Sequence, residues 1–200
     1  MIILGIAAEH NSSACLMIDG KIIGLVQEER FTKLKNQCAF PLLSINSLVN
    51  NFLDGDASKI DHVVYGGILS DPYYSCINKF SNIEMSDVIE EMNEMWFPIF
   101  YEGKKYDGSY WRKMFINGEN LNKNHNYDFS FLKKKLTIDH AVKYFCEVER
   151  TNVVKKYINN MTPTRIDHHT CHAYYAAYGG ILTSSQLKDT LIITADAWGD

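Results

Sequence analysis

Two hundred residues, of which 46% are apolar and 22% charged, are enough to bury a real core as one large domain or two small ones. The formal net charge of −4 argues against nucleic acid as the main partner, and no apolar run approaches the roughly 20 residues that span a bilayer. Cys15, Cys38, Cys76, Cys146 and Cys171 are odd in number and lack any C-x-x-C pattern, which fits free thiols in a reducing compartment better than a disulfide framework. Met1 to Ala8 is too short, and lacks the basic leader, for a signal peptide. The expected location is the cytoplasm.

Ile2 to Ala7 reads as a first strand, Ala14 to Ile18 as a second and Lys21 to Gln27 as a third, with the polar loop Glu9-His10-Asn11-Ser12-Ser13 between the first two. Asp19-Gly20 is a strong hairpin signal, so the three strands should form an antiparallel meander. Small side chains in the polar loop leave its N–H groups free to meet phosphate oxygens.

Glu28 to Lys35 carries dense mixed charge. Such runs are usually solvated surface; the functional alternative is an anion clamp in which Arg30 grips phosphate bidentately and Lys33 and Lys35 act as point charges. Pro41 should open a helix at its first position, with Leu42, Ile45, Leu48, Val49 and Phe52 on its buried face and Asp54-Gly55 ending it. His62 to Tyr65 is another short strand, closed by Gly66-Gly67.

Residues 68–135 change character, being rich in Tyr, Asn, Phe, Met and Lys with an acidic helix around Glu84 to Met95. They read as an insertion. Its aromatics, Trp96, Phe97, Tyr101, Tyr110 and Trp111, suit packing first and contact with an acceptor second. His125 reads as surface. Ile138 to Asn160 is mostly one amphipathic helix, with His140 structural near its start.

Three imidazoles gather in Asp167-His168-His169-Thr170-Cys171-His172-Ala173, within an Ala-rich stretch free of Pro and Gly until Gly179. On a helix, residues four apart share a face, so His168 and His172 point the same way, whereas His169 lies about 100° round. The pair needs a third ligand. Asp196 follows Leu191 to Ala195, which reads as a buried strand; a carboxylate at a strand end sits where α/β folds collect ligands. Two His and one Asp suit Zn, Fe or Mn, and residue types do not choose among them. The competing reading is a structural or surface His pair. A zincin protease is set aside, because no residue between His168 and His172 is acidic.

Two separated stretches resemble one family. Gly5-Ile6, His10-Asn11-Ser12-Ser13-Ala14, Asp19-Gly20, Glu28-Glu29-Arg30-Phe31, Lys35 and Pro41 look like the opening of the O-carbamoyltransferases of the nodulation-factor and antibiotic-biosynthesis type. His168-His169-Thr170-Cys171-His172-Ala173 with Asp196 is similar to their H-H-x-x-H-A metal motif and its following Asp. The match covers about the first 65 and the last 40 residues.

The resemblance implies an actin-like ATPase (ribonuclease H-like) α/β core, with 1–67 and 136–200 as its parts and 68–135 inserted. It implies an O-carbamoyltransferase that converts carbamoyl phosphate and ATP to carbamoyl adenylate and carbamoylates a hydroxyl of a small molecule or sugar. His168, His172 and Asp196 would hold a divalent metal (Fe, Zn or Mn), with ATP accompanied by Mg. His10 would contact the carbamoyl group or act as base on the acceptor hydroxyl, and Lys35 would meet phosphate or adenylate.

Asn36 departs from the family, which often has His after that Lys, and Ser184 to Lys188 forms a polar loop between His172 and Asp196. Because the chain stops just after a predicted strand, a fragment is expected, with a further Asp ligand and much of the ATP pocket beyond Asp200. The alternatives are a tRNA threonylcarbamoyl-transferase-like protein, a non-catalytic metal-binding module of the same fold, and a small-molecule kinase of the same superfold. A homo-oligomer is compatible with all of them.

Overall fold

The structure is a computed structural model that describes residues 1–9, 11–67, 84–110, 112–113, 126–134, 136–180 and 182–196. His10, Trp111 and His125, singled out above, lie outside the described residues.

The meander forms as its sequence demands: β1 (Ile2–Ala7), β2 (Ser13–Ile18) and β3 (Lys21–Gln27) pair antiparallel in turn. Asp19 and Gly20 both take positive φ (47° and 77°), the backbone that a tight hairpin requires. β4 (His62–Gly66) joins β1 in parallel and β5 (Thr164–Ile166) joins β4 in parallel, giving the order β3-β2-β1-β4-β5. The fold is α/β, with a five-stranded mixed sheet and helices.

Register explains which face is buried. Leu4 lies opposite both Leu16 and Val63, and Ile6 opposite Ala14 and Tyr65. All six side chains are buried. The alternation along each strand thus puts one face of the sheet into the core.

Two short helices follow β3 in the chain: α1 (Glu29–Thr32) and α2 (Leu42–Phe52). Ile45, Leu48 and Val49 of α2 enter the same apolar cluster as the sheet. Gly24 makes this approach possible, since a Cβ there would lie 2.6 Å from Leu48 Cδ2. Pro41 sits one place earlier than expected, outside the helix as its N-cap.

The acidic helix is present as α3 (Met85–Glu91), a π-helical turn at Met92–Trp96 and α4 (Phe97–Tyr101). Of the aromatics considered there, Tyr110 is buried, whereas Phe97 and Tyr101 are exposed. Among the described residues no helix is long and apolar enough to cross a membrane.

The expected amphipathic helix also forms, as α5 (Ile138–Tyr144), a π-helical turn at Phe145–Glu149 and α6 (Arg150–Tyr157). Thr137 caps it by accepting from the His140 N–H. His140 itself is exposed, which corrects its structural reading.

The chain then runs through β5 into α7 (His168–Tyr178) and the short α8 (Ser184–Leu187). The expected strand Leu191 to Ala195 does not form among the described residues. A strand needs a ladder partner and a buried face; here residues 191–196 run without assigned ladder pairing, and Leu191 and Ile193 are 83% and 79% exposed.

Candidate metal centre

The parallel strands β1, β4 and β5 all end at one edge of the sheet, where Ala7, Gly66 and Ile166 stand in register. In open α/β sheets that carboxyl edge is where ligands gather. Directly after β5, Asp167 caps α7 by accepting from the Thr170 N–H at 2.8 Å. Hydrogen bonding from the Thr170 side chain first, and from its backbone N–H second, holds the Asp167 carboxyl below the ordinary carboxylate range. The same helix lies close to the end of β4: a Cβ on Gly66 would meet Cys171 Sγ at 3.3 Å. Cys171 therefore faces the sheet, and the helix turns its histidines elsewhere.

His168 and His172 do share a face, with ring centroids 4.5 Å apart. Their Nε2 atoms are 3.0 Å apart. Asp196 Oδ2 lies 2.7 Å from the His168 nitrogen and 3.4 Å from the His172 nitrogen. Donors bound about 2.1 Å from a tetrahedral ion sit about 3.4 Å from one another. The triangle is thus slightly contracted from a metal-bound one.

The donor set fits a divalent cation of the Zn, Fe or Mn kind. His168, His172 and Asp196 are 40%, 54% and 38% exposed, so coordination positions would face outward. Three protein ligands with an open position characterise metal sites that act on a ligand rather than merely hold the fold. His169 stands apart from this triangle. Its Nδ1 lies 3.2 Å from Thr194 Oγ1.

A second polar cluster occupies the neighbouring strand ends, and sequence reasoning missed it. Arg150 is buried at 2% exposure. Its guanidinium donates to the Gly67 carbonyl at 2.8 Å and to Glu9, and lies over the rings of Tyr65 and Phe145. It ties the segment after β1 to the segment after β4. The signal was present: Cys146, Val153 and Val154 mark the buried stripe of this helix, and position 150 falls on it.

The charged run after β3 divides. Glu28 is buried and faces the start of α2, accepting from the Leu43 and Ser44 N–H groups at 2.9 and 2.8 Å and from Ser44 Oγ at 2.7 Å. Arg30 is 70% exposed beside Glu29 and donates to Gln27 at 3.1 Å. Lys35 is exposed. Ser12 joins this region to the loop after β1: its N–H donates to the Gln37 carbonyl at 2.8 Å, and its carbonyl accepts from the Glu28 N–H at 2.9 Å.

No family model matches the chain. It is similar to "Uncharacterized protein sll1178" of Synechocystis sp., with 41% identity over 68 residues, which is 32% of this chain and 10% of that protein. It is also similar to "Uncharacterized protein MJ1051" of Methanocaldococcus jannaschii, with 38% identity over 66 residues, which is 33% of this chain and 12% of that protein. The matched stretches thus span about a tenth of the length of these curated relatives.

Proposed function

We propose that this chain is the metal-holding portion of an O-carbamoyltransferase that uses carbamoyl phosphate and ATP to carbamoylate a hydroxyl group. The observation that carries the reading is the convergence of His168, His172 and Asp196, from a helix and a segment far apart in sequence, on one point at the carboxyl edge of the sheet. The finer fold reading, an actin-like ATPase core, is supported by the order β3-β2-β1-β4-β5 with only β2 running against the rest.

In this reading carbamoyl phosphate, ATP and water yield carbamoyl adenylate, pyrophosphate and phosphate. The acceptor oxygen then attacks the carbamoyl carbon, AMP leaves, and the hydroxyl proton passes to a base. A bound divalent ion supplies polarisation of phosphoryl oxygens and orientation of the nucleotide. Asp196 and the two imidazoles fix that charge at the strand ends.

His10, in the segment between Glu9 and Ser12, is the proposed base. Arg30 and Lys35 are the proposed phosphate contacts, and their side chains are exposed enough to reach an anion. The Ser12 bonds to Glu28 and Gln37 keep that loop and the basic segment in fixed relation.

The test is incubation of the full-length, metal-loaded protein with carbamoyl phosphate, ATP and hydroxyl-bearing small molecules and sugars. Pyrophosphate release that requires carbamoyl phosphate is expected. A protein that releases none with any acceptor is not this enzyme; release without carbamoyl phosphate points to a different ATP-consuming reaction.

A further inference from the structure

We propose that His169 and Thr194 form an outer clamp that positions Asp196 for metal binding. The inference rests on the reading of His168, His172 and Asp196 as ligands, and assigns a role to two residues which that reading leaves unused.

Asp196 belongs to a segment without a ladder of its own. Residues 191–196 are held to α7 at Thr194, through His169 Nδ1 at 3.2 Å, and at Asp196, through His168 at 2.7 Å. The two points are matched in geometry. In an extended chain residues two apart face the same side, so Thr194 and Asp196 turn together toward the helix. Ile193 and Ala195, which flank Thr194, are both exposed, as that alternation requires. On the helix, His168 and His169 are consecutive, and their rings stand perpendicular with centroids 5.8 Å apart. One imidazole takes the carboxylate while its neighbour takes the hydroxyl.

The chemistry suits a clamp. A threonine hydroxyl both donates and accepts, so the contact survives with either nitrogen of His169 protonated. Without it, the segment would be held at Asp196 alone, and ordering it on binding would cost chain entropy that weakens binding. Supporting groups of this kind are a regular feature of metal sites. His169 and Thr194 are positioning residues in this scheme and touch neither ion nor substrate.

The experiment titrates the metal-free full chain with Co(II), followed by calorimetry and visible absorption. His169→Ala and Thr194→Val should each weaken Co(II) binding about 3- to 10-fold, the worth of one neutral hydrogen bond, without changing stoichiometry. The double variant should be no weaker than either single one, because each removes the same contact. Thr194→Ser and His169→Asn, which keep a polar atom at the contact, should recover most of the loss. A general packing defect would give neither the missing additivity nor the recovery.

A wild-type chain that takes up no Co(II) overturns the ligand reading and the clamp with it. Wild type that binds Co(II), with both single variants binding equally tightly or with losses that add in the double, overturns the clamp alone.

Discussion

Two polar clusters occupy the same edge of the sheet under opposite conditions. Arg150 is sealed at 2% exposure, roofed by Tyr65 and Phe145, and bonded to Gly67 and Glu9. His168, His172 and Asp196 converge as closely but stand 38–54% exposed. A buried guanidinium with partners on two loops is closed off from an approaching ligand, and its loss leaves protein groups unsatisfied. Half-exposed imidazoles beside a carboxylate lose little when removed, and offer donors to whatever approaches. Proximity of charged residues alone does not separate structure from site; solvent access does.

The sealed cluster should give the largest effect on stability. Arg150→Ala removes a cation packed between rings and strips Glu9 and Gly67 of their donor. Breaking a buried pair typically costs 3–5 kcal/mol, and because Glu9 is 36% exposed the expected loss is about 3 kcal/mol. Urea denaturation measures it. Arg150→Lys should recover only part, since an ammonium cannot reach both partners and stack as a guanidinium does. A loss below about 1 kcal/mol would mean that burial is not what distinguishes the two clusters.

The open cluster should respond the other way. His172→Ala should leave metal-free stability within about 0.5 kcal/mol of wild type, as exposed substitutions do. Co(II) binding should weaken by about 100-fold or more, which corresponds to about 2.7 kcal/mol. Elemental analysis after dialysis would show the same difference as lost metal. Unchanged stoichiometry and affinity would return the histidines to plain surface.

The same contrast recurs on a smaller scale after β3, where Glu28 and Lys35 belong to one charged run. Glu28→Ala leaves two backbone N–H groups at the start of α2 without their acceptor, and should cost about 2 kcal/mol. Lys35→Ala should cost less than about 0.5 kcal/mol. The two denaturation curves, set side by side, show whether the run divides as the burial says.

How much of this the sequence discloses depends on the range of the interaction. The meander was legible because Asp19-Gly20 and the alternation around Leu4, Ile6, Ala14 and Leu16 act between near neighbours. The His168–His172 face was legible because helical period is a local rule. Glu28 was not: a carboxylate in a charged run looks solvated until Ser44, sixteen residues on, is folded against it. The pairing of Leu191 to Ala195 was misjudged for a related reason. β-Branched composition marks a stretch able to join a sheet, whereas a ladder also needs a neighbouring strand. Arg150 was the hardest, since its partners Glu9 and Gly67 are 141 and 83 residues away.

An effect smaller than that of Glu28→Ala lies beneath the sealed cluster, where Tyr65 and Tyr127 join hydroxyls at 2.5 Å. Burial pushes the Tyr65 phenol up to about 12 and raises Tyr127 well above its ordinary value of 10. A raised folded-state value means that folding favours the protonated phenols. The resulting stability is fully present below pH 10, where unfolded tyrosines are also protonated, and is lost as pH rises through about 12. Tyr127→Phe removes one of the two groups and leaves Tyr65 without its partner, at a cost of about 1 kcal/mol near neutrality. It should also flatten the alkaline fall, because one fewer buried phenol resists ionisation. Denaturation midpoints from pH 7 to 11 test this: parallel curves for the variant and wild type would place the alkaline limit elsewhere, and leave the sealed cluster's stability to Arg150 alone.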